Sequence, residues 1–195
     1  VTNDSDIIRR SRERPAAFAE LYDKYARMIY RYAFRRAGES AAEDVMAGTF
    51  LAAFEGRDSF DHAWDDARPW LFGIATNLLR RHHRTEAKIL KIIAKSSGRD
   101  AYTDSTEQIA EQLDAIATTS ALALALCKLS PVDRECILLY AWADLTYEGI
   151  AQATNVPVGT VRSRMNRARR KLKDAAAALR NNTEEADHGR TQVTA

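Results

Sequence analysis

With 195 residues, the chain has room for one domain or two small ones. Its 29 Lys and Arg nearly balance 27 Asp and Glu, for a formal net charge of +2, which excludes a protein that coats polyanions over its whole surface. The two cysteines, Cys127 and Cys136, lie in apolar helical pattern without further ligands at zinc spacing. They read as buried thiols, and neither a metal site nor a cofactor is expected. Every long apolar stretch is broken by charge and no leader peptide is visible, so the protein is expected in the cytoplasm, with no membrane insertion.

Apolar periodicity predicts helices almost throughout. The first strong one runs from Phe18 to Arg36, with Phe18, Leu21, Tyr22, Tyr25, Ile29, Tyr32 and Ala33 on one stripe. Gly38-Glu39-Ser40 breaks it, and a second helix follows from Ala41 to Phe54 around Val45, Phe50 and Phe54. Residues 55–68 lack periodicity and read as a loop rich in Asp58, Asp61, Asp65 and Asp66. Pro69 opens a third helix through about Lys91, with Leu71, Ile74, Ala75, Leu78 and Leu79 inward and Arg80, Arg81, Arg84, Lys88 and Lys91 as a basic cluster.

From Ser96 to Thr106 the composition changes to Ser, Gly, Asp and Thr, which is linker chemistry. Helical pattern returns weakly near Ile109 and firmly by Leu122. Ser130 as cap, Pro131 at the first position and Asp133 near the dipole then start a helix carrying Ile137, Leu138, Tyr140 and Ala141. Beyond Arg180 the tail has no apolar pattern and is expected to be disordered. No strand alternation persists. The prediction is an all-α protein of two small helical domains, residues 1–95 and 117–180, joined by a flexible linker at 96–116 and followed by a tail at 181–195.

The most specific stretch is Thr146 to Leu172, TYEGIAQATNVPVGTVRSRMNRARRKL. Thr146 can cap a short helix, Asn155 tolerates the left-handed conformation a tight turn needs, and Pro157 marks the next helix start. In that second helix Val161, Met165, Ala168 and Leu172 form one apolar face, and Arg162, Ser163, Asn166, Arg167, Arg169 and Arg170 lie opposite. A helix anchored on one face and forked with guanidinium groups on the other suits the DNA major groove. Two basic patches separated by acidic stretches suggest two nucleic-acid contacts.

The order of parts, WLFGIATNLLRRHHR, a tether, then VGTVRSRMNRAR, resembles the extracytoplasmic-function class of bacterial RNA polymerase sigma factors, from about Phe18 to about Leu179. The resemblance implies a σ2 module and a σ4 module, with core RNA polymerase, promoter duplex, melted promoter DNA and an anti-sigma factor as partners. By position it implies that Glu43 and Asp44 dock on the β′ clamp helices, although Ala47 and Gly48 replace a polar pair common in relatives. It implies that Trp70, Phe72, Asn77, Arg80, Arg81 and Arg84, with His83, hold the opened minus-ten element, and that residues 56–68 shape the pocket for a flipped base. It implies that Arg162, Ser163, Asn166 and Arg167 read the minus-thirty-five element, with Thr160 and the amides near Gly159 against phosphate. Such a protein catalyses nothing itself.

Two other classes compete. A free-standing helix-turn-helix repressor or activator accounts for residues 146–172 but not for WLFGIATNLLRRHHR, and it normally needs a dimer. A recombinase-like enzyme needs carboxylates at metal spacing or a Ser or Tyr with assembled partners. Tyr25 and Ser59 read more simply as core and loop.

Overall fold

The computed structural model describes the backbone of residues 3–96 and 125–190 and the side chains of residues 3–84 and 125–174. Its helices are α1 (Asp4–Glu13), α2 (Ala19–Glu55), α3 (Arg68–Ser96), α4 (Pro131–Ala143), α5 (Tyr147–Thr154) and α6 (Val158–Arg190), with 3-10 turns at Pro15–Phe18 and Arg57–Ser59. Residues 125–127 are also helical, and no strand occurs among the described residues. The predicted linker, with Ile109 and Leu122, lies outside the described residues apart from Ser96, as do residues 191–195.

Helix α1 is an addition to the sequence reading. Asn3 caps it, accepting from the Asp6 N–H at 2.9 Å, while Ile7 and Ile8 bury in the core. Asp4, 1% exposed, accepts from the Tyr25 hydroxyl at 2.6 Å, the Lys24 ammonium at 2.7 Å and the Ala67 N–H at 2.9 Å. One buried carboxylate thus ties α1 to α2 and to the segment entering α3. The bond to Asp4 lifts the Lys24 pKa to about 12, and burial, then the Asp4 bond, pushes Tyr25 to about 12.

Helix α2 breaks where its sequence does. Gly38 sits at φ 77° and ψ −179°, a conformation that a side chain would make costly. The half before it buries Leu21, Tyr25, Ile29, Tyr32 and Ala33, and the half after it Ala42, Val45, Thr49, Phe50 and Ala53. Gly48 has a packing reason: a Cβ there would stand 3.3 Å from Leu78 Cδ1, so the glycine lets α3 come close.

In the C-terminal module the helix caps are those read from the sequence. Ser130 accepts from the Asp133 N–H at 3.3 Å, Thr146 from the Gly149 N–H at 3.1 Å, and Asn155 is left-handed at φ 51° and ψ 49°. Asp144, also at φ 51°, ends α4 the same way and carries no comparable sequence signal. Two helices outrun their apolar pattern: α3 continues past Lys91 to Ser96, and α6 continues past Arg180 to Arg190. Helix propagation adds one bond per residue, and no Gly or Pro interrupts residues 181–188.

The two modules pack against each other. Their apolar residues form one cluster that runs from Leu71 and Phe72 of α3 through Ile150 of α5 to Val161 and Met165 of α6. Helices α3 and α5 cross at two glycines. A Cβ on Gly73 would stand 2.8 Å from the Ala153 carbonyl oxygen, and one on Gly149 would stand 3.2 Å from Pro69 Cγ. Gly149, which has no evident function in the sequence, is a close-approach residue at this seam.

Candidate nucleic-acid interface

Helix α6 presents two faces. Val161, Met165 and Ala168 are fully buried, whereas Arg162, Ser163, Asn166, Arg167, Arg169 and Arg170 are exposed and Thr160 is half-buried. A Cβ on Gly159 would meet nothing within 4 Å, so the first turn of α6 is open to a large ligand. Ser163 spends its hydroxyl proton on the Gly159 carbonyl at 3.0 Å, which leaves its lone pairs outward.

Arg167 does not float. Its Nη2 lies 3.0 Å from Asp133 Oδ1 and its Nε 3.4 Å from Oδ2, so α4 grips the guanidinium by one edge. Burial works to raise the Asp133 pKa, but the bonds from Arg167 and the Ser130 cap outweigh it and hold the carboxyl below its ordinary range. The same bond raises Arg167 further above its usual value. Arg169 stacks over Tyr140 and Tyr147, 5.2 Å and 5.8 Å from their centroids, so it braces α6 on α4 and α5. Cys136 is buried and its thiol is pushed up by that burial, so it is not poised as a thiolate; Cys127 is buried too.

Helix α3 divides its expected contacts. Asn77 is exposed, its Oδ1 accepting from Arg80 Nη1 at 3.2 Å, and Arg81 and Arg84 are exposed. Arg80 also donates its Nε to Glu135 Oε1 at 2.9 Å and its Nη2 to Oε2. His82 and His83 stack at 6.0 Å. Trp70 is half-buried, edge-on to Phe60 with centroids 5.1 Å apart. Phe72 is a correction: it is 1% exposed and edge-on to Tyr32 at 5.1 Å, so it is a core ring and offers no face to a base. Its place on the helix, three positions before Ala75 and seven before Leu79, puts it on the same buried side as both.

The loop before α3 is held from behind. His62 Nδ1 pairs with Ser5 Oγ at 2.8 Å, and its pKa is lowered by burial and then by Arg12 and Arg9. Arg68 closes on Asp66 through two Nε bonds of 3.1 and 2.8 Å, and Phe60 is buried. Among the described residues no cluster of His, Cys, Asp or Glu can hold a metal ion, and no helix is long and apolar enough to cross a membrane.

A helix-turn-helix with an outward cationic strip and a second basic helix beside it has relatives. The family models for sigma-70 region 2 and sigma-70 region 4 match residues 21–89 and 119–172. The extracytoplasmic-function sigma factor SigW of Bacillus subtilis is 30% identical over 164 residues, covering 80% of this chain and 87% of SigW. The chain belongs to the extracytoplasmic-function sigma factors of the sigma-70 family. SigL of Mycobacterium tuberculosis is likewise 30% identical, over 81% of this chain and 88% of its own. BldN of Streptomyces coelicolor is 30% identical over 159 residues, of which the chain spans 59% of BldN. Two solved structures share the fold: CnrH in complex with the cytosolic domain of CnrY (TM-score 0.64, 24% identity, 90% of this chain and 97% of that one) and RpoE in complex with the anti-sigma factor NepR from Bartonella quintana (TM-score 0.59, 23% identity, 82% and 96%).

This sigma factor is a promoter-directing, DNA-binding subunit of RNA polymerase, and the reading as a free-standing repressor or activator is not favoured. On its α2, Glu43 and Asp44 are exposed, as is Ala47. Beside them Leu51 is 60% exposed, the most open large apolar side chain among the described residues. Glu43, Ala47 and Leu51 recur every fourth position and so share one face. The sequence reading of α2 picked out its larger apolar residues as core and passed over Leu51. It also read Asp133 only as a dipole partner and passed over Glu135, because acids in a helix's first turns look alike until the tertiary fold brings arginines to them.

Proposed function

We propose that this sigma factor reads the minus-thirty-five element with Arg162, Ser163, Asn166 and Arg167, and opens and holds the minus-ten element with α3. The supporting observation is the division of α6: Val161, Met165 and Ala168 lock it to its module while the polar side chains stay outward. Arg to guanine and Asn to adenine are the bidentate pairings a major groove offers. Thr160 and the first amides of α6 suit a phosphate.

On α3, Asn77 is the exposed amide for an unpaired base, with Arg80, Arg81 and Arg84 for phosphates and the Trp70 edge as the aromatic surface that remains once Phe72 is in the core. Bases captured there are stabilised only when unpaired, so binding energy shifts the duplex toward the open state without catalysis. Glu43 and Asp44 dock on the clamp helices of core polymerase, with Leu51 as their apolar neighbour. Residues 1–95 and 117–180 divide these tasks, and an anti-sigma factor covers the polymerase-binding surfaces until a signal removes it. The protein acts in the cytoplasm, where core polymerase and promoter DNA are.

The test is reconstitution. Stoichiometric capture of bacterial core RNA polymerase, with new discrete start sites on a fragmented genomic library, is the expected result. Failure to bind core, together with sequence-specific DNA binding as a dimer, overturns it.

A further inference from the structure

Helix α1 precedes residues 21–89, the part of the chain that sigma-70 region 2 accounts for, yet both of its ends are tied to the loop before α3. At its start the Asp4 N–H donates to the Asp65 carbonyl at 3.1 Å, and the Asp4 carboxylate accepts from the Ala67 N–H at 2.9 Å. The cap Asn3 donates its side-chain amide to the Asp65 carboxylate, and Ser5 Oγ meets His62 Nδ1 at 2.8 Å. About 10 Å further along the helix, Arg12 donates Nη2 to the Asp58 carbonyl at 3.0 Å and sets Nε 3.1 Å from Asp58 Oδ1.

The loop does little to hold itself. Its own backbone bonds are short turns, from Ser59 to Gly56, Phe60 to Arg57 and Trp64 to Asp61. Among the described residues, every hydrogen bond that ties residues 57–67 to a distant part of the chain goes to α1 or its cap. His62 depends on α1 most. Its Nε2 is buried with no partner among the described residues, so Ser5 makes the ring's one hydrogen bond. That ring lies edge-on to Phe60 with centroids 5.4 Å apart, and Phe60 lies edge-on to Trp70 at 5.1 Å. A chain of contacts therefore leads from Ser5 through His62 and Phe60 to the Trp70 edge. Helix α1 itself is fixed, because Ile7 and Ile8 are in the core and Asp4 bonds Tyr25 of α2.

We propose that Ser5 and Arg12 of α1 are positioning residues for minus-ten reading: they hold His62 and Asp58, and through them the base-pocket loop and the Trp70 edge, in the shape that receives the unpaired base. The proposal rests on the reading of residues 56–68 and Trp70 as the minus-ten pocket, and adds what keeps that pocket in shape. A loop held from outside loses its conformational freedom at folding rather than at base capture. More of the binding energy is then left to favour the open promoter. Neither residue touches DNA; both act through the loop.

The experiment uses holoenzyme reconstituted from the full chain and bacterial core RNA polymerase. Its templates are a promoter recovered from the genomic library and the single-base substitutions of its minus-ten element. Ser5→Ala and Arg12→Ala are each expected to slow opening, read as permanganate reactivity against time, on the order of 5- to 10-fold and to flatten the minus-ten base preference by a similar factor. Closed-complex affinity should not change, and Arg12→Ala should keep the wild-type melting temperature because its side chain is exposed. Arg12→Lys, which keeps a cation beside Asp58, should restore the preference. An unchanged base preference in both alanine variants overturns the proposal, and so does a loss of opening that only tracks a loss of thermal stability. The pocket reading fails separately. If a photoreactive base at the unpaired minus-ten position of the wild-type complex crosslinks outside residues 56–70, the loop is not the reader, whatever the α1 variants do.

Discussion

Asp133 and Arg167 meet edge to edge, Oδ1 to Nη2 at 3.0 Å, joining the first turn of α4 to the exposed side of the recognition helix. The carboxylate takes Nε and one Nη2 proton, which leaves the other three guanidinium protons for DNA. Asp133 therefore acts on base reading through Arg167, as a positioning residue.

The pairing carries a pH signature. The Asp133 pKa is depressed in the folded protein, so its contribution to stability is fully present above the unfolded carboxyl value of about 3.9 and is lost as pH falls through the folded value below it. The stability difference between wild type and Asp133→Asn should stay flat from neutral pH to about pH 5 and close only in stronger acid. Denaturant midpoints across that range measure it, and a difference that shrinks already near neutrality would contradict the assignment.

On α6, Arg162→Ala and Asn166→Ala should each cost about 1–3 kcal/mol of discrimination at one base pair of the minus-thirty-five element. Binding to core polymerase should not change. Competition binding of the holoenzyme against promoters altered one base pair at a time reads both quantities.

Asn77 and Phe72, on one helix, should fail differently. Asn77→Ala should leave the fold and the closed promoter complex intact and reduce permanganate reactivity of unpaired thymines. Phe72→Ala removes a fully buried ring and should cost about 3–5 kcal/mol of stability, visible in denaturant unfolding before any DNA is added.

At the polymerase face, Leu51→Asp and Asp44→Lys should each weaken the affinity for core by about 1–2 kcal/mol, with no loss of thermal stability because both side chains are exposed. Titration of labelled sigma factor with core polymerase gives the affinity. Unchanged binding in Leu51→Asp would remove that residue from the contact.

Asp4→Ala leaves the Tyr25 hydroxyl and the Ala67 N–H without their acceptor. The expected loss is about 2–3 kcal/mol of stability, with the Lys24 ion pair contributing little because its ammonium is half exposed. Chemical denaturation measures it directly.

Much of this protein can be read locally. The Gly38 break, the Ser130 and Thr146 caps, the left-handed Asn155 and the buried stripe of Val161, Met165 and Ala168 each follow from a few neighbouring residues. Their physics is short in range: allowed backbone angles, an orphan N–H and a helical period. Helix α1 escaped because its support is distant, with Asp4 bonded to Tyr25 and Ala67. Phe72 was misassigned because an aromatic ring at a helix start looks the same in sequence whether it faces a base or Tyr32.

By itself the sequence determined the helical class and the helix-turn-helix, because periodicity and capping are carried by residues close along the chain, and its resemblance pointed to the family. Only the tertiary structure decided which charges are spoken for. Nothing local links Glu135 to Arg80, Asp133 to Arg167, or Gly73 to Ala153. Those pairs form because burial of the shared core brings α3 against α4 and α5, and a helix's side chains then meet whatever the neighbouring backbone presents.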